Sequence, residues 1–115
     1  MASDSDLAPR FVYAVRSRFT DAAVRAEFIA WLTGGHLADV VRAGATRAEL
    51  VLHEPAPGET VGEVESRYLF ASPEAFAAYE AGPAVPLRAE GAAKFPPTRG
   101  VTMTRSTATS ACRVG

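Results

Sequence analysis

From Arg10 to Phe19 the chain reads RFVYAVRSRF, an alternation of apolar or aromatic residues with polar ones that predicts a β-strand. Thr20 and Asp21 then offer a helix start. With Thr20 as N-cap, Phe19 and Val24 have the spacing of a hydrophobic staple. Val24, Phe28, Trp31, Leu32, Gly35, Val40 and Val41 recur at helical intervals, and Arg42 followed by Gly44 supplies an end. One helix over residues 21–43 is expected. Residues 47–53 (RAELVLH) predict a second strand, 54–61 (EPAPGETV) a turn-rich connection, and 62–70 (GEVESRYLF) a third strand. The closeness of these two strands predicts an antiparallel hairpin. Ser72-Pro73-Glu74 is a strong helix start, with Ser as N-cap and Pro in the first turn, and Gly82-Pro83 stops that helix. Residues 86–94 predict a further short helix ended by Pro96-Pro97, and residues 100–106 a last strand. Residues 1–9 and the aperiodic 107–115 are expected to be flexible tails around a domain of residues 10–106, with Cys112 exposed in the second.

The order β-α-β-β-α-β is that of a ferredoxin-like α+β fold, a four-stranded antiparallel sheet with helices on one face. Strand parity sorts the two faces. Phe11, Tyr13, Val15, Ala48, Leu50, Leu52, Val64, Ser66, Tyr68, Phe70, Val101 and Met103 form a mostly apolar side, expected under the helices. The other side carries Arg16, Arg18, Glu49, Glu63, Glu65 and Arg67 among Val12, Ala14, Val51 and Leu69. Such a face can be solvated. It can also pack on its own copy, with opposite charges meeting across a two-fold axis.

Composition narrows the classes. The 115 residues, 48% hydrophobic and 22% charged, fit one small globular domain. A core of that size gains from oligomerisation. A net charge of −1 argues against a nucleic-acid binder carried by bulk basic charge. One Cys allows neither an intramolecular disulfide nor a Cys-rich metal cluster. No apolar run approaches the roughly 18 residues of a bilayer span, so no membrane partner is expected. The start MASDSDLAPR lacks a basic and apolar leader, which favours the cytoplasm.

Several segments together resemble the dimeric α/β-barrel superfamily, which includes antibiotic-biosynthesis monooxygenases and EthD-like proteins. They are the opening FVYAVRSRF, the WLTGGHL stretch that spaces Trp31 from His36-Leu37, and Gly44 before the second strand. RYLF, FASPEAFAAYE and PLRAEGAAKFP complete the set. Within that superfamily the likeness is to an uncharacterised bacterial family and covers residues 10–106. Gly34-Gly35 departs from its pattern, at a step that would loosen the helix ahead of His36. The resemblance implies a homodimer with two facing sheets and a pocket between sheet and helices in each subunit. It carries no particular reaction, because fold likeness is a weak warrant for activity.

His36 is the candidate catalytic residue. Asp39, three residues on, would orient its imidazole for general-base work, and the alternative is a structural histidine bonded across to the sheet or the next helix. Trp31, five residues earlier, is expected on a different helical face, as a core or dimer-seam aromatic or as a ligand platform. Tyr13, Ser66 and Tyr68 bring hydroxyls to the apolar side, where they either bond to backbone and water or line a pocket. His53 and His36 stand on separate elements without further ligands, so no metal site is expected. Arg16, Arg18, Glu49, Glu63, Glu65 and Arg67 read as a dimer face rather than a catalytic cluster. No GxSxG, Walker, GxGxxG or HExxH motif is present, and no cofactor is expected. Two functions remain: a barrel that binds or transforms a small apolar or aromatic molecule, as a cofactor-free oxygenase or isomerase, and a non-catalytic structural or regulatory homodimer with a filled core.

Overall fold

A computed structural model describes residues 10–114. Its fold is ferredoxin-like: β1 (Arg10–Phe19), α1 (Ala22–Trp31), a π-helical turn (Leu32–His36), α2 (Leu37–Arg42), β2 (Arg47–Leu52), β3 (Val64–Phe70), α3 (Pro73–Ala81), α4 (Ala84–Lys94) and β4 (Val101–Ser110). The sheet order is β2-β3-β1-β4 and every pairing is antiparallel. Tyr13 pairs with Tyr68 and Thr107, and Val15 with Ser66 and Arg105, which fixes the faces as parity sorted them.

Local chemistry explains the boundaries. Ser72 caps α3 by accepting the Ala75 amide at 3.1 Å, with Pro73 in its first turn. The first helix starts one residue later than expected. Asp21, not Thr20, is its cap, accepting the Ala23 amide at 2.8 Å, so Phe19 no longer holds the staple position. Two glycines are required by close approach. A Cβ at Gly62 would lie 1.9 Å from the His53 carbonyl oxygen, and one at Gly100, at φ 77°, would lie 1.9 Å from Thr20 Oγ1.

The single helix expected over 21–43 is broken. Leu37 donates its amide to the Leu32 carbonyl, five residues back, and Gly35 takes non-helical angles. Thr33 Oγ1 donates to the Ile29 carbonyl at 2.9 Å, competing for a backbone acceptor just before Gly34 and Gly35. A π turn at this step widens the helix by one residue. The last strand also differs, because β4 runs to Ser110 and residues 107–110 pair with β1 instead of trailing away. Residues 1–9 lie outside the described part of the chain.

The inner face of the sheet carries two apolar clusters. One gathers Tyr13, Val40, Tyr68, Phe70, Phe76 and Tyr79, and the other Phe19, Phe28, Leu32, Val64, Phe95 and Val101. Burying each aromatic or aliphatic side chain contributes about 1.5–3 kcal/mol. Among the described residues no helix covers the outer face, and several of its charges pair within the chain. Glu63 accepts from Arg16 and Arg18. Glu65 accepts from Arg67 Nε at 2.7 Å and lies 2.8 Å from His53 Nε2. Glu49 is the cross-strand neighbour of Arg67. Side chains along and across the strands thus hold opposite charges together on this face.

Candidate functional site

Where the two apolar clusters meet, between the sheet and α1, α2, α3 and α4, a cavity of about 40 Å³ remains. That is room for about two or three water molecules. Tyr13, Ser66, Tyr68, Trp31 and His36, all singled out in the sequence, line it together. Tyr79, Arg88 and Arg105 line it as well and were not anticipated. Arg105 follows Met103 by two residues on β4, so parity places it on the inner face, where a charged side chain is not expected. Tyr79 stands three residues after Phe76 on α3, the spacing of one buried helix face.

The π turn explains the placement of His36. Five residues span one π-helical turn, so Trp31 and His36 superpose rather than diverge. Their rings stack with centroids 4.0 Å apart at 23°. Trp31 Nε1 donates to Glu90 Oε1 at 3.1 Å, and its ring lies against Gly91, where a Cβ would come within 3.2 Å of Cη2. Asp39 does not orient the imidazole: it pairs with Arg42 in the next turn. His36 Nδ1 is buried without a hydrogen-bond partner. Burial pushes the His36 pKa below its ordinary 6.5, against the opposing charges of Glu90 and Asp39, so the ring is neutral at pH 7.

The hydroxyls are held protonated. Burial pushes Tyr68 up to about 12 against a smaller opposing effect of Ser66, and it pushes Tyr79 up to about 12 as well. Tyr13 accepts a hydrogen bond from Arg105 Nε at 3.1 Å, and the Arg88 guanidinium carbon lies 5.8 Å from the centre of its ring. Arg88 also donates to Glu80 at 3.1 Å on the rim. The arrangement is a small apolar chamber with a neutral imidazole at one end and two guanidiniums with a tyrosine hydroxyl at the other. A neutral imidazole nitrogen without a partner can take a proton, and protonated hydroxyls can stabilise negative charge that develops beside them. His53 is absent from this site and belongs to the outer-face pair with Glu65. Among the described residues no three His, Cys, Asp or Glu side chains gather as metal ligands, and no helix is long and apolar enough to cross a membrane.

No family model matches the chain, and no curated protein matches it in sequence. Solved structures do share its fold. A dimeric ferredoxin-like protein from an uncultured marine organism superposes with a TM-score of 0.72 at 16% identity, covering 92% of this chain and 99% of that one. A second dimeric ferredoxin-like protein of the same kind of source gives 0.61 at 12% identity, covering 96% and 95%. A monooxygenase from the gene ActVA-Orf6 of Streptomyces coelicolor, in complex with the ligand Nanaomycin D, gives 0.60 at 18% identity, covering 92% and 89%. Similarity at this level of identity establishes a ferredoxin-like fold, one that a monooxygenase also adopts.

Proposed function

We propose that the protein is a cytoplasmic homodimer of the antibiotic-biosynthesis monooxygenase-like kind that binds, and as an enzyme transforms, a small apolar or aromatic molecule in the cavity beside His36. The carrying observation is the buried, unpartnered His36 Nδ1 at a cavity that also takes in Tyr13, Ser66 and Tyr68. Buried polar atoms are ordinarily satisfied, so an orphaned one at a cavity marks a place for a ligand or water. In the reaction this geometry favours, neutral His36 takes a proton from the bound molecule while the hydroxyls stabilise the resulting anion. That anion is either oxidised by dioxygen or reprotonated at another carbon. The dimeric, ferredoxin-like relatives in structure support the homodimer, formed through the outer sheet face of Arg16, Arg18, Glu49, Glu63, Glu65 and Arg67.

The small interior volume favours a second reading, a structural or regulatory homodimer whose core is filled by side chains. Native mass spectrometry of freshly purified protein separates the two. The first reading expects a dimer with the added mass of a retained small molecule, reduced in His36→Gln. A dimer without added mass favours the second reading, and a bare monomer removes both.

A further inference from the structure

We infer that Arg88 and Arg105 form a carboxylate-binding fork at the mouth of the cavity, so that its ligand is a small organic monoacid with an apolar or aromatic body. The inference rests on the reading of this cavity as a ligand site and adds the charge of what enters it.

Two arginines and one histidine line the cavity, and no aspartate or glutamate does. Arg105 projects from the inner face of β4, an edge strand, and its hydrogen bond goes to the Tyr13 hydroxyl. None of the ion pairs among the described residues includes it. Arg88 reaches the same tyrosine from α4. Its terminal nitrogen is paired with Glu80, but its Nε is buried with no partner. Two guanidiniums therefore meet at one tyrosine, Arg105 at its hydroxyl and Arg88 over its ring, with the Glu80 carboxylate paired to Arg88 alone. Arg88 is half-buried and Arg105 exposed at this mouth, so an entering carboxylate can accept charge-assisted hydrogen bonds from both without displacing a buried ion pair.

The net charge at the mouth is about +1, because Glu80 offsets Arg88, which matches a monoanion better than a phosphate dianion. The planar guanidinium presents paired N–H groups to the two oxygens of a carboxylate. Arg105, Arg88, Tyr13 and Phe76 also border an adjoining cleft of about 290 Å³ along β4, together with Glu80, the carboxylate paired with Arg88. Arg105 and Met103 border another of about 210 Å³ that reaches Phe95. These spaces accept a ring-sized body that the inner chamber alone does not, with Phe76, Met103 and Phe95 as its apolar walls.

The test is a calorimetric titration of the full chain with benzoate, with its uncharged isostere benzamide, and with inorganic phosphate, repeated on Arg105→Gln and Arg88→Gln. Benzoate is expected to bind at least tenfold more tightly than benzamide, with that preference falling toward unity in Arg105→Gln and severalfold in Arg88→Gln. Arg18→Gln, on the opposite face of the sheet, keeps it. Equal binding of benzoate and benzamide to the wild-type protein overturns the fork and leaves the ligand cavity standing. A preference that survives Arg105→Gln also overturns the fork. Tighter binding of phosphate than of benzoate replaces a carboxylate by a phosphate. Binding of none of the three removes the fork and the ligand cavity together.

Discussion

The two faces of this one sheet treat their polar groups in opposite ways. On the outer face each paired carboxylate has two side-chain partners from its own chain, Glu63 with Arg16 and Arg18, and Glu65 with Arg67 and His53. On the inner side Ser17 Oγ, His36 Nδ1 and Arg88 Nε are buried without partners. A buried polar group left unpaired costs about 1–3 kcal/mol, so the paired carboxylates of the outer face are satisfied while the inner side holds polar atoms that still lack partners. The contrast places the chemistry on the inner side, despite the larger number of charges outside.

The contrast can be broken at the inner face first. Phe70, at the end of β3, is fully buried against the aromatic rings of Phe76 and Tyr79. Phe70→Ala is expected to lower stability by about 3–5 kcal/mol in denaturant unfolding, because it removes a fully buried aromatic ring and leaves a cavity in its place. On the outer face the strongest effect comes from Glu65, which is only 8% exposed. Glu65→Gln takes the carboxylate away from Arg67 and His53 and is expected to cost about 1–3 kcal/mol at neutral pH by the same measurement.

Acid titration sharpens the comparison by sign. Hydrogen bonds from Arg67 and Arg16 hold Glu65 and Glu63 below the ordinary 4.5. Their stabilisation is present above pH 4.5 and is lost as the pH falls through the lowered values. His36, depressed from 6.5 by burial, acts earlier. Below pH 6.5 the unfolded chain gains a proton that the folded chain resists, so stability falls toward the lowered value and then levels. The drop in Tm between about pH 7.5 and about pH 5.5 is therefore expected to shrink in His36→Gln and to persist in Glu65→Gln. The smallest effect is Arg16→Gln. Its side chain is half exposed and Glu63 keeps Arg18, so a change of about 0–1 kcal/mol is expected in unfolding experiments.

The fold was legible because alternation at Arg10–Phe19, the 62–70 run and the Ser72-Pro73 cap each point to one structure. Parity then assigned both faces, which put Tyr13, Ser66 and Tyr68 where the cavity lies. What escaped the pattern has physical causes. A 3.6-residue period cannot foresee a π turn, so Trp31 and His36 seemed to diverge when the Gly34-Gly35 step stacks them. Asp39 had a competing partner in Arg42 at the same helical spacing. Arg105 was overlooked because β4 is a Thr- and Ser-rich edge strand, whose weak alternation concealed both its length and its inward charge. The intrachain pairing of the outer face depends on register, which composition does not contain.

The most direct test of a ligand site on the inner face is the change in the amide and indole NMR spectrum when benzoate is added. The single Trp gives one indole signal, and it comes from a ring stacked on His36 at the cavity wall. The account predicts shifts confined to Trp31, His36, Tyr13, Arg88, Arg105 and their neighbours, with the amides of Arg18, Glu49 and Glu63 unmoved. Shifts centred on the outer face, or none at the Trp31 indole at saturating benzoate, would contradict it.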